Sequence, residues 1–398
     1  MSTLKVDAIR HNSATSDAIT TAADGTCTAK LTSIGGGGLS HRNLIINGAM
    51  NVAQRASSST SSGYATVDRF KYTYSGTDSA PTQAQVDVAS GTTPYTLGFR
   101  KAYKITNANQ SSGAGAGDHI RLEVNLEAQD IANSGWNYLS SSSFITLSFW
   151  CKSSVAQNFY ASIRTPDGTS QNYSFETGSL TADTWTKVTK TIPGNSNLTF
   201  DNDAELGWNM EIAMFMGTDD TDSGNTMNQW AAYNSSNQMP DNTSTWYTTN
   251  GATWEITGMQ LEVGDTATSF EHRSFGEELE RCKRYYQTLP SGLISVRMAQ
   301  DTTYSNAGMQ TTFILPTPMR TNPALSNWND GSGTITHTFY DGNYSNASNK
   351  ELNMYGGIHN GTVQYRFNYS QANNGGSSLG TNFKFGISQD PIAFNAEL

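Results

Sequence analysis

Apolar and polar residues alternate along this chain in short runs. Between 144 and 152, Ile145, Leu147, Phe149 and Cys151 share one face while Phe144 and Trp150 take the other. A period of two belongs to a half-buried strand. Met210, Ile212, Met214 and Met216 alternate in the same way with Glu211, Ala213 and Phe215, and a third run passes through Trp254 and Ile256 to Met259, Leu261 and Val263. All three read as core strands. Leu44-Ile45-Ile46 leads into Asn47-Gly48, the pattern of a strand entering a turn, and marks where folded chain begins. Gly- and Ser-rich stretches at 56–63 and 110–117 cannot build a core and read as loops. Short strands between long polar loops predict a β-sandwich.

One segment has a different period. Ser274-Phe275-Gly276-Glu277 is a capping-box pattern, and Phe275, Leu279, Cys282 and Tyr286 follow at helical spacing. Beyond Pro290, strand-like runs recur at 292–298, 309–315, 334–340, 362–369 and 382–387. Before residue 41 large apolar clusters are absent, and the stretch closes on four glycines, Gly35 to Gly38. There Leu4, Val6 and Ala8 alternate with Lys5 and Asp7 as a short strand without an evident partner nearby, so that it orders only against another chain. The expected fold is all-β, with two β-sandwich (jelly-roll) domains after an extended N-terminal arm. The arm covers 1–40, the first sandwich 41–273, a connecting helix 274–290 and the second sandwich 291–398.

Composition supports strands over helices. Charged residues are only 15% of the chain and aromatics 11%. Ser, Thr and Asn compete with a helical backbone, whereas Thr, Tyr, Phe and Trp suit a pleated surface. The formal charge of −10 removes long-range attraction to phosphate, so a nucleic-acid partner is not expected. No apolar run nears the roughly 20 residues that span a bilayer, and MSTLKVDAIRHNS lacks a signal-like apolar core, so neither membrane insertion nor export is expected. Cys27, Cys151 and Cys282 lie far apart without a CxxC pair and read as reduced, small apolar residues.

Catalytic patterns are missing. Asp203 with Glu205, and Asp219, Asp220 and Asp222, sit in predicted turns. The segment Asp220 to Asn225 resembles a calcium loop but lacks the third ligand before its glycine and the distal Glu. The histidines show no HExxH spacing, no Gly-x-Ser-x-Gly elbow occurs, and Gly113-Ala-Gly115-Ala-Gly117 does not join a strand to a helix. No enzyme, cofactor or metal is expected. What remains is surface chemistry suited to sugar: Trp230, Tyr233, Trp246 and Tyr247 lie among Asn234, Asn237, Asp241 and Asn242, and Trp328, Tyr340 and Tyr344 form a second set. An aromatic face stacks on a pyranose while amides and carboxylates bond its hydroxyls.

Three segments together resemble phage tail-fibre proteins of the marine cyanophage-like type. They are the start MSTLKVDAIRHNSATSDAIT, the stretch NLIINGAMNVAQRA with YATVDRF after it, and GMQLEVGDTATSFEHRSFGEELERCKRYYQ at 258–287. The middle of the chain, with Ser148-Phe149-Trp150 and Trp185 to Val188, looks like a carbohydrate-binding-module jelly-roll. The resemblance implies a short, homotrimeric fibre in the virion tail, made in the host cytoplasm. Its N-terminus, with Leu4, Val6, Ala8 and Ile9, would hold the tail or an adaptor protein, and its loops would meet a host-surface glycan. It supplies no catalytic residue. A capsid or baseplate decoration protein and a polysaccharide depolymerase are the alternatives.

Overall fold

The alternation at 144–152 is realised in the strand Phe144–Ser153, which buries Ile145, Leu147, Phe149 and Cys151 in the main core and turns Trp150 to the opposite side. The computed structural model describes residues 6–10, 15, 17–23, 27–29, 41–289, 292–296, 299–301, 308–321, 323–326, 337–340, 352–353, 362–368, 383–387 and 392–398. Within them the chain is mostly β, and its body is two antiparallel sheets packed as a sandwich. The first sheet runs in the order Trp230–Ala232, Gln171–Ser179, Asn158–Thr165, Leu206–Met216, His119–Glu127 and Phe70–Ser75. The second runs Thr186–Pro193, Phe144–Ser153, Thr253–Val263, Lys101–Thr106, Thr82–Asp87 and Ser58–Ser59. Side chains of alternate parity from both sheets meet in one core that includes Tyr72, Tyr103, Leu122, Phe159, Ile163, Phe175, Trp208 and Trp254.

Among the register shifts of the described strands, two break the alternation of the runs read from the sequence. In Leu206–Met216 the register against His119–Glu127 slips between Ala213 and Phe215. Met214 and Phe215 therefore both reach the core, and Met216 joins Ala213 and Met239 on the other side. In Thr253–Val263 the slip falls between Thr257 and Gln260, with Gly258 at φ 65°. A Cβ at Gly258 would meet the Phe99 ring at 2.5 Å, so both backbone angle and packing demand glycine there. The extra residue moves the core parity from Trp254 and Ile256 to Met259 and Leu261, and Val263 ends 41% exposed.

Residues 44–48 are not a strand. They form a buried turn in which Asn47, at φ 61°, donates its amide to Val52 O and Asp68 O and accepts from Val52 N. One side chain so satisfies several backbone groups of the turn, which makes regular pairing unnecessary. The arm departs from expectation as well. Ala8–Ile9 pairs with Ile19–Thr21, which pairs with Cys27–Ala29. The partner strand lies within the arm, because an antiparallel return needs few residues. Val6 and Ile9 are exposed, at 39% and 54%, and Leu4 lies outside the described residues.

The helix covers Phe275–Lys283, capped by Ser274 Oγ accepting from Glu277 N. It is shorter than 274–290 and partly turned from the expected stripe: Cys282 is buried as expected, but Phe275 is exposed and Glu278 is buried. Glu278 faces inward because it accepts from Asn47 N and pairs with Arg273 at 3.6 Å. Tyr286 belongs to the strand Tyr286–Leu289, which pairs with Ile392–Asn395, itself paired with Ala324–Ser326. Gly292–Val296, Phe383–Ile387 and His337–Tyr340 form another small sheet, and Ala299–Asp301, Gly308–Ile314, Thr362–Asn368 and Leu352–Asn353 a third.

Candidate functional site

The parity that buries one face of the first sheet leaves the other face polar. Three rows of directly paired residues cross it. The first is Lys71, Glu123, Glu211, Ser162 and Ser174; the second is Thr73, Arg121, Ala213, Tyr160 and Glu176; the third is Asn125, Asn209, Arg164 and Asn172. Arg121 ties the first two rows together, with Nε donating to Thr73 Oγ1 at 3.0 Å and to Glu123 Oε1 at 3.2 Å, and Nη1 to Glu211 Oε2 at 3.1 Å. Lys71 Nζ reaches Glu123 Oε2 at 3.0 Å. Buried carboxylates and serine hydroxyls thus sit beneath the half-exposed Lys71, Thr73, Arg121 and Tyr160 side chains.

The loop after Met216 walls one side. Met239 packs with Ala213, Met216 and Tyr160, Asn172 Nδ2 donates to Gln238 O, and Ser174 Oγ to Asn225 Oδ1. The half-exposed Tyr233 ring stacks on the Arg164 guanidinium at 4.1 Å. Asp220 and Asp222 serve the loop itself, accepting from Gln238 Nε2 and from Gly224 N.

The two carboxylates differ in acidity. Burial pushes Glu211 up to about 7, partly opposed by Arg121 and reinforced by Glu123. Burial acts on Glu123 too, but the Thr73 hydrogen bond and the charges of Arg121 and Lys71 outweigh it and hold that group below the usual carboxylate range. Because Glu211 keeps its proton to a higher pH in the folded than in the unfolded chain, the native state binds more protons between these pKa values. Its contribution to stability therefore falls as pH rises from about 4.5 to about 7, by about 2–4 kcal/mol in total. Glu211→Gln should flatten the stability profile across that window relative to the parent chain, as read from urea unfolding at pH 5, 6 and 7.

Of the aromatic residues expected at a sugar site, Tyr233 is half-exposed. Trp246 and Tyr247 are a correction: both are fully buried core residues in the short helix Thr245–Thr248. Trp246 Nε1 donates to Thr253 O at 3.1 Å, Tyr247 Oη donates to Asp118 Oδ2 at 3.0 Å, and Tyr247 packs on Phe215 with ring centroids 4.6 Å apart. Each polar end finds a partner inside, so nothing holds the rings in water. Trp230 packs against the core edge on Tyr173 and Trp208 and donates Nε1 to Pro193 O. Trp328 and Tyr344 lie outside the described residues, and Tyr340 is described only as part of the strand His337–Tyr340. The residues missed were Lys71, Arg121, Glu123, Tyr160, Ser162, Arg164 and Glu211. Their signal was present as polar residues at every second position, as in Arg121, Glu123 and Asn125.

No family model matches the chain, and no curated protein sequence matches it. Among solved structures it is similar to the enzymatically active domain of bacteriophage CBA120 tailspike protein 4, at 11% identity and a TM-score of 0.30, over 59% of this chain and 24% of that one. The chain thus spans about a quarter of the length of that protein. It is also similar to the N-terminal cellulose-binding domain of Cellulomonas fimi β-1,4-glucanase C, at 10% identity and a TM-score of 0.26, over 54% of this chain and 99% of that one. A third similar structure is the family 11 carbohydrate-binding module of Clostridium thermocellum with a mixed-linked tetrasaccharide, at 9% identity and a TM-score of 0.23, over 51% and 91%.

Proposed function

We propose that this protein is a non-enzymatic, glycan-binding component of a phage tail, held to the virion by its N-terminal arm and meeting host-surface sugar through the outer face of the first sheet. The observation that carries the sugar reading is the set of half-exposed Arg121, Arg164, Tyr160 and Tyr233 side chains on that face, underlain by the buried Glu211 and Ser162. Carboxylates and guanidinium groups bond sugar hydroxyls in both directions, and the rings offer flat apolar faces. The tail reading rests on the resemblance of residues 1–20, 43–70 and 258–287 to tail-fibre proteins. A homotrimer goes with it, since a shallow polar site binds weakly and linked copies raise avidity by orders of magnitude.

Hydrolysis is the second reading, because Glu123 and Glu211 have acidities pushed apart as an acid and base would need. The geometry favours binding. Both carboxylates are held by one guanidinium on neighbouring strands of a single face, whereas cleavage needs them to flank the glycosidic bond. Binding of the purified chain to host surface polysaccharide should weaken at least tenfold in Tyr233→Ala and Arg164→Ala, with the thermal unfolding midpoint within a few degrees of the parent. Unchanged binding in both variants would sink the assignment of this face, and release of reducing ends by the parent chain would replace binding with hydrolysis.

A further inference from the structure

The second sheet has an outer face of its own, and part of it is closed. Residues 265–273 lie across one end, where Gln260 Nε2 and Oε1 bond Ser269 O and Glu271 N and where the Phe270 ring meets Phe99 edge-on and His272 lies tilted against it. The other end is open. There the pairing sets Lys187 beside Trp150 and Thr257, and in the neighbouring row Lys152, Glu255, Lys104 and Ala84. Trp185 stands just before the edge strand, with Lys152 Nζ 5.2 Å from its ring centre, and Lys152 pairs with Glu255 at 3.1 Å. Trp150 and Trp185 pack half-buried against Ala49, Val88, Phe99 and Ala102.

Three lysines against one carboxylate leave two positive charges on a patch of a chain whose formal charge is −10. Among the described residues, Lys104, Lys187 and the indole N–H groups of Trp150 and Trp185 have no protein hydrogen-bond or ion-pair partner. A surface with two half-exposed indoles and cations unused by the fold is suited to a ligand that supplies flat apolar rings and anions together. We propose that this face is a second binding surface, distinct from that of the first sheet, for a carboxylate-bearing polysaccharide whose pyranose rings stack on Trp185 and Trp150 and whose uronate groups pair with Lys104 and Lys187.

Charge spacing selects this ligand over nucleic acid. Lys104 and Lys187 are three strands apart, about 14 Å at the usual strand spacing. Two cations that far apart answer a polymer with one anion on a sugar, whereas most of the closely spaced charges of a duplex, one per about 1.7 Å, would go unpaired there.

The test uses the full chain with polygalacturonate, its methyl ester and a single-stranded oligothymidylate as probes, read by tryptophan fluorescence and calorimetry. Polygalacturonate should bind, the neutral ester at least tenfold more weakly, and affinity should fall as sodium chloride rises from 50 to 500 mM. The double variant Lys104→Gln, Lys187→Gln and the single variant Trp185→Ala should each weaken binding tenfold or more with an unchanged thermal midpoint. Tyr233→Ala and Arg164→Ala, on the opposite face, should leave it unchanged, which separates this site from the first. Failure to bind polygalacturonate, equal binding of the ester, indifference to the lysines, or a preference for oligothymidylate would each overturn the proposal.

Discussion

Arg69→Met is expected to lower the unfolding free energy by about 3–5 kcal/mol, the range for breaking a buried ion pair from one side. Arg69 is 2% exposed. Its guanidinium bonds the Glu397 carboxylate and Asn125 O, and its Cζ lies 3.4 Å from the Tyr285 ring centre. The substitution keeps the apolar stem but leaves Glu397 with Arg55 alone, at 3.3 Å. Since residues 284–289 and 392–398 are held to the sandwich through this cluster, the loss should also expose them to protease before the sandwich unfolds. The double variant Arg69→Met, Glu397→Gln should be more stable than the sum of the single changes predicts, because the buried carboxylate that Arg69 no longer pairs is then gone. Urea midpoints of the four chains give the coupling; strict additivity would show that the pair is not linked as the contacts indicate.

Trp246→Ala should cost about 3–5 kcal/mol, as for other buried large aromatic side chains. The indole is fully buried in the sandwich core, and its loss also leaves Thr253 O without the Nε1 donor. Sugar binding by the folded fraction should be unaffected, since the ring reaches neither outer face. A variant that kept its unfolding midpoint and lost binding would return Trp246 to the surface role that its polar neighbours suggest. Urea unfolding and polysaccharide binding on one preparation decide it. Together with Tyr233→Ala the comparison separates a ring that holds the fold from one offered to ligand.

Loop aromatics show where the sequence misleads. Trp246 and Tyr233 occur in one Asn-rich stretch, and composition treats them alike. A short helical turn carries Trp246 inward over Thr253, while Tyr233 follows an edge strand and meets Arg164 across the sheet. The polar outer face was legible in principle, because Arg121, Glu123 and Asn125 alternate with Ile120, Leu122 and Val124. Its assembly from separate strands was not, because which strands neighbour one another depends on long-range pairing.

By itself the sequence determined that this is a β protein, through period-two runs such as 144–152 and a composition that opposes helices. It also located the capped helix at Ser274 and strand-like runs at 292–298 and 362–369, which overlap the strands Gly292–Val296 and Thr362–Asn368. These are local properties, set by backbone preference and side-chain spacing over a few residues. The tertiary structure alone decided the bulges at Gly258 and Met214, the inward turn of Glu278, and the pairing of Tyr286–Leu289 with Ile392–Asn395. It also decided that Arg121 bridges Glu123 and Glu211 while Lys104 and Lys187 stay unpaired among the described residues. Those outcomes depend on what a side chain meets once distant strands are brought together, and burial, charge pairing and close packing are defined only there.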